Sequence, residues 1–271
     1  MGMTYPGLME MFVPVGPKRT FEGAVTQIAE QIRLGELSEG DRLPPERELA
    51  AALEVSRATL RDAVRVLADA GVVTVRSGSA GGTFVASGYV PYELLRSKTE
   101  MRLGEVAGVL EARRLFEPRV AQLAAANARE ADFLLMQETI DAQKAIVAGG
   151  DVSANLDRFL QYGAQFHARM ASATGNTTIV SAMRMLLREI EAARSMTIRE
   201  TPFVPDFTIK IHEDTLAAIR SADQRRVDVV MDEHLSAMER AWERQTGGRL
   251  VRPIPDFLRP VAERGRVETA G

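Results

Sequence analysis

Phe21, Val25, Ile28 and Ile32 recur at three- and four-residue intervals, the spacing that aligns side chains on one face of a helix. Gly35 follows as a stop signal, and GELSEGDRL reads as a loop. Pro45 can open a second helix, because its missing N–H is not needed in a first turn. That helix, ERELAAALE, turns Leu49 and Leu53 to one side. Ser56 is placed to cap a third helix, since its side-chain oxygen can accept an orphan backbone N–H. The third helix is carried by VSRATLRDAVRVL, and Gly71 is its natural end. The period then changes. Val72–Val75 and Thr83–Val85 are short β-branched runs around a glycine-rich turn, which predicts a β-hairpin. Three helices followed by a hairpin make a winged helix-turn-helix.

Beyond residue 100 the strand signals vanish. Helical patterns run over 102–128, 131–148, 153–173, 177–198, 207–221 and 224–246. Breaks at Gly149-Gly150, Gly175-Asn176 and Thr201–Pro205 separate most of them. Pro118 lies inside the first pattern and should kink or split it. Such short connections imply antiparallel neighbours in a bundle. The expected fold class is mainly α, an N-terminal winged helix-turn-helix plus a C-terminal antiparallel α-helical bundle. Its expected divisions are a flexible arm over 1–17, the winged domain over 18–87 and a linker over 88–100. The helical domain follows over 101–246, and a weakly ordered, proline-containing tail over 247–271.

Composition narrows the chemistry. The chain has 271 residues, enough for two domains, and 45% of them are hydrophobic. Its net charge of −3 offers no global attraction to nucleic acid, so any such site must be a local patch. The absence of cysteine excludes disulfides, thiolate metal sites and cysteine nucleophiles, and fits a reducing cytoplasm. No apolar run approaches the roughly 18 residues that span a bilayer, so no membrane partner is expected. The N-terminal apolar stretch is broken by Pro6, Pro14 and Pro17, and its positive charges follow it, so it does not read as a signal peptide.

The local patch lies on the third helix. Relative to Arg57, Arg61 and Arg65 fall about 40° and 80° round the axis. Leu60, Ala63, Val64 and Leu67 share a separate arc. Between 55 and 82 there are four arginines against two aspartates. A solvated face with Asp62 and Asp69 as partners is one reading. The other is a recognition helix whose N-terminal residues reach base edges in a major groove. Arginine can grip guanine O6 and N7 with two hydrogen bonds. Ser56, Thr59 and the Ser77-Gly78 backbone suit phosphate contacts, which position without specifying.

The stretch DRLPPERELAAALEVSRATLRDAVRVLADAGVVTVRSGSAGGTFV resembles the DNA-binding domain of the GntR regulators throughout its length. The resemblance implies that Arg47, Ser56, Arg57, Thr59, Arg61 and Gly78 contact DNA. Arg65 would meet phosphate at most. Ala58 departs from relatives that carry a polar residue there.

His167, His212 and His234 all lie in the helical half. Their contexts, FHARMASATGN, IHEDTLAAIRSAD and MDEHLSAM, resemble the FCD ligand-binding domain of FadR-type GntR regulators, as does LEARRLFEPRVAQLAAANA. That resemblance spans residues 100–240 and implies a divalent ion held by three histidines and an aspartate. The aspartate stands four residues before the first histidine, a position filled here by Gly163, with Gln161 and Gln165 pointing elsewhere on the helix. Two readings stay open. The three histidines hold Zn2+, Ni2+ or Mn2+ alone, or the site has lost its metal and they bind effector directly. Three neutral imidazoles are a sufficient protein set for zinc. The family's effectors are small carboxylates or sugar acids, and Arg113 matches an arginine that pairs with such a group. The alternative is that Arg113 or Arg114 pairs with Glu117 on the helix surface. Asn176 is read as the cap of the helix beginning at Thr177.

The expectation is a ligand-responsive transcriptional repressor, a homodimer on a pseudo-palindromic operator, sensing a small organic acid through Arg113, His167, His212 and His234. It is not expected to be an enzyme. The alternatives are a metal-dependent hydrolase or a winged module that binds protein. His212-Glu213 lacks the second histidine of the metalloprotease helix motif, because Leu216 stands in its place.

Overall fold

The structure is a computed structural model that describes residues 20–78, 81–95, 103–197 and 204–246. The proposed arm, the tail and the end of the linker lie outside them. Contacts divide the chain into two compact units, Met1–Leu95 and Arg96–Gly271.

In the first unit α1 (Thr20–Arg33) packs on α3 (Arg57–Asp69), and α2 (Glu46–Ala52) lies beside α3. The apolar stripes meet as their spacing predicts: Val25, Ile28 and Ile32 are buried with Leu60, Ala63 and Leu67. Ser56 caps α3, its Oγ accepting the Thr59 N–H at 3.0 Å. Gly71 follows the helix in the left-handed region, φ +73°, where a Cβ would be strained. Pro45 is the cap of α2 and stands one residue before its first turn. Strands β1 (Val73–Arg76) and β2 (Gly82–Val85) pair antiparallel, from Val73 opposite Val85 to Arg76 opposite Gly82. The loop before α2 extends this hairpin: Leu43 N–H donates to Thr83 O, and Asp41 O accepts from Val85 N–H. Past β2, Val90 is buried in the same core, and the buried Arg33 guanidinium donates to its carbonyl.

The second unit is a bundle of α4 (Leu103–Asn127), α5 (Glu130–Ala148), α6 (Leu156–Ser172), α7 (Thr177–Thr197), α8 (Pro205–Arg220) and α9 (Gln224–Thr246). Helix α4 touches α6, α7, α8 and α9. It runs unbroken through Pro118, so the expected split does not occur. Proline removes the N–H that would bond the Arg114 carbonyl. The helix is held there by other means. The Arg114 guanidinium reaches α9, bonding Asp232 at 2.8 Å and Ser236 at 2.6 Å, while Leu110 and Val120 are buried on either side. Asn176 caps α7, its Oδ1 accepting from Thr178 N–H at 3.0 Å and Ile179 N–H at 3.2 Å. The bundle interior is apolar around Phe159, Phe166, Met136, Ile140 and Met183. It also buries Arg113, Glu117, Gln143, Thr215 and all three histidines, and this polar cluster is where its chemistry lies.

Candidate functional site

Two sites emerge, one in each unit. In the first, α2, α3 and the hairpin present the candidate DNA contacts. Ser56 and Thr59 hydroxyls lie 2.8 Å apart at the start of α3. Arg57 and Arg61 have side chains 61% and 60% exposed, and both donate Nε–H to the Glu46 carboxylate, at 2.6 and 3.0 Å. Arg65 is exposed and stands 3.7 Å from Asp62. Arg65 alone takes a partner on its own helix, while Arg57 and Arg61 stay solvated and share Glu46. Glu46 comes from another helix and was invisible to a reading of α3. Arg47 and Ala58 are exposed. Gly78 sits in the turn at φ +101°, where the backbone conformation itself calls for glycine. Two further arginines lie against the hairpin, Arg76 on β1 and Arg42 in the loop before α2. Arg76 lies 4.4 Å from the Phe84 ring centroid and Arg42 lies 5.9 Å from it.

In the second unit His167 from α6, His212 from α8 and His234 from α9 are buried together, with one ring nitrogen from each within 4.8 Å of the others. Their helices make this possible, each turning one imidazole inward. For His212 and His234 the surrounding hydrogen bonds fix which nitrogen carries the proton. Gln143 Nε2 donates to the Phe159 carbonyl at 3.2 Å, which orients the amide. Its Oε1 then faces His212 Nδ1 at 2.9 Å and can only accept, so that Nδ1 bears a proton. Thr215 spends its hydroxyl proton on the Ile211 carbonyl at 2.8 Å and so accepts from His234 Nδ1 at 3.0 Å. His167 Nδ1 lies 3.0 Å from a Glu117 carboxylate oxygen. In the neutral rings of His212 and His234 the lone pair is thereby left on Nε2. Metal-bound histidines commonly have this outer arrangement, with the second nitrogen donating to a carboxylate, amide or hydroxyl.

Electrostatics keep the His234 ring in that form. Burial, then the neighbouring His167, His212 and Arg113, hold His234 well below the ordinary histidine value, against the pull of Glu117. Burial pushes the Glu117 carboxyl up, but Arg113 and His167 outweigh it and hold the group well below its usual range. Arg113 grips Glu117 with two bonds, Nε at 2.5 Å and Nη2 at 3.2 Å. The expected Arg113–Glu117 pair thus exists, but inside the bundle and not on the helix surface, and Arg114 turns to α9 instead. Gly163 does face the site: a Cβ there would meet Gln143 Nε2 at 3.4 Å and His212 Cε1 at 3.5 Å. The space beside it is taken by the Gln143 amide. Three buried imidazoles, with no carboxylate among the inward donors, match the nitrogen-donor set that binds zinc and similar ions.

Residues 20–85 match the family described as bacterial regulatory proteins, gntR family, and residues 108–237 match the FCD domain. The chain is 26% identical over 233 residues to the HTH-type transcriptional repressor NanR of Klebsiella aerogenes, covering 84% of this chain and 87% of that protein. It is 28% identical over 222 residues to the HTH-type transcriptional regulator LutR of Bacillus subtilis, covering 77% and 94%. Among solved structures, a GntR protein of Streptococcus agalactiae is 27% identical, with a TM-score of 0.43 over 82% of this chain and 99% of that one. McbR/YncC of E. coli is 15% identical, with a TM-score of 0.48 over 83% and 98%.

Proposed function

The chain belongs to the GntR regulators that carry an FCD domain, and from that premise we propose that it is a repressor whose grip on DNA is set by an anionic effector at a histidine-bound metal. Its general role is that of a ligand-responsive, DNA-binding transcriptional regulator, and its relatives are regulators as well. Among the described residues no helix is long and apolar enough to cross a membrane. The DNA half is read from Arg47, Ser56, Arg57, Thr59, Arg61 and Gly78, which supply exposed guanidinium groups, hydroxyls and a wing turn. In this reading Arg57 and Arg61 read bases, and the others fix register on phosphates. A homodimer would set two such helices on a pseudo-palindromic operator.

The single observation that carries the sensing half is the buried meeting of three histidines, with Gln143 and Thr215 bonded to Nδ1 of His212 and His234 and the Glu117 carboxylate 3.0 Å from that of His167. It favours the reading in which the histidines keep a divalent ion without an aspartate. His167, His212 and His234 would hold the ion, which when bound supplies a positive charge and open coordination positions for an anion. Arg113 contributes a second positive charge nearby. In this structure it is committed to Glu117, so its part in effector binding requires that pair to loosen or to share. An effector alters DNA binding only if it binds one arrangement of the protein better than the other.

The proposal is tested by selecting a binding sequence from random duplexes and titrating it with metal-loaded protein, with and without candidate carboxylates and sugar acids. One of these should change operator affinity in the loaded protein and not in the chelator-treated one. An equal response in both would overturn the role of the metal.

A further inference from the structure

Glu46 is the first residue of α2 and faces the start of α3. One carboxylate there accepts from two arginines of the neighbouring helix, Oε1 from Arg57 Nε at 2.6 Å and Oε2 from Arg61 Nε at 3.0 Å. The group is not a buried structural pair, since the carboxylate side chain is 35% exposed and both arginines are more so. Exposed ion pairs contribute little to fold stability. The effect of this one is geometric. A guanidinium is planar and forked, and fixing its Nε fixes the plane of the fork. The Nη1 and Nη2 edge of each arginine then remains for the O6 and N7 of a guanine. A side chain held in this way loses less freedom on binding than one that must be ordered by the DNA.

The same acid has a cost, because it places a negative charge where phosphates approach. That cost falls on every DNA sequence alike. The gain falls only where guanines meet the two forks. Such a residue raises discrimination by penalising all partners and rewarding one.

We propose that Glu46 is a positioning residue that orients Arg57 and Arg61 for end-on reading of guanine, and so turns general DNA affinity into sequence preference. The inference rests on the proposed base-reading role of α3. The hydrogen bonds from Arg61 and Arg57 hold the Glu46 carboxyl below its ordinary value, which keeps it charged at neutral pH.

The test uses the full-length protein, the selected duplex and a scrambled duplex of equal length, titrated at several salt concentrations. E46Q keeps the size of the side chain, and its melting temperature is compared with wild type. Operator affinity should fall roughly five- to tenfold as ordering of the two arginines is left to the DNA. Affinity for scrambled DNA should stay level or rise, so the ratio of the two collapses. If both affinities tighten together with the ratio intact, Glu46 is only a repelling charge and the inference is overturned. R57A and R61A separate this failure from a larger one. If neither loses operator affinity, α3 does not read bases at all. If both do while E46Q keeps the wild-type ratio, only the role of Glu46 is lost. A second readout needs no variant. Replacing operator guanines by 7-deazaguanine should weaken wild-type binding, and unchanged binding would rule out the end-on fork.

Discussion

Gln143 determines which nitrogen His212 can offer, and it does so from 69 residues away in the chain. Gln143→Ala frees the ring to turn and to change tautomer. Metal affinity should then fall about 10- to 100-fold, as for other outer partners of ligating histidines. Competition against a chelating dye measures this, and unchanged affinity would mean the amide has no hold on the site. Glu117 carries a different load. It neutralises Arg113 and lies 3.0 Å from His167 Nδ1 while fully buried. Glu117→Ala leaves an unpaired guanidinium inside the bundle and should cost roughly 3–5 kcal/mol, read from urea unfolding. The histidines themselves were legible from their sequence contexts, and Gly163 was legible as a gap. The three partners were not, because each lies on another helix than the histidine it faces, and Thr215 also sits within a run whose apolar spacing conceals a buried hydroxyl. Nor was the Glu46 bridge, since no helical period links residues on α2 to residues on α3.

Helix α3 was readable nearly to its ends because its signals are local: Ser56 caps it and Gly71 closes it. The hairpin begins one residue later than the β-branched run suggests. The Val72 N–H is still bonded to the Leu67 carbonyl, so the chain leaves the helix before it can pair as a strand. Helix α6 likewise starts at Leu156 and not at 153, since Asp151 Oδ1 accepts the Ala154 N–H at 2.9 Å and holds a turn. Pro118 shows the limit of reading one element in isolation. Its penalty is intrinsic to α4, while what overrides it, the Arg114 bridge to α9, belongs to the bundle. Pro118→Ala restores a backbone hydrogen bond without asking the helix to change course. It should stabilise the domain by on the order of 1–3 kcal/mol in the same urea assay. Destabilisation would mean that the ring is needed as packing.

Across the whole chain the two functions are built from separate parts, and this makes their coupling testable. The first unit has its own core, from Ile28 and Ile32 to Leu67 and Val90. The three histidines belong entirely to the second. His212→Ala should therefore abolish metal and effector response while leaving operator affinity in the absence of effector close to wild type. A normal effector response in that variant would place sensing elsewhere. The fold class was visible from periodicity, because period 3.6 and period 2 occupy different stretches of the chain. The sensing chemistry was only half visible, because it depends on side chains brought together by five helices. That chemistry can be tested directly by measuring the metal content of protein purified without chelator or histidine tag, using elemental mass spectrometry. About one zinc, nickel or manganese ion per chain is expected, held by His167, His212 and His234. No bound metal, even after ions are added back, would contradict it and leave the histidines to bind effector alone.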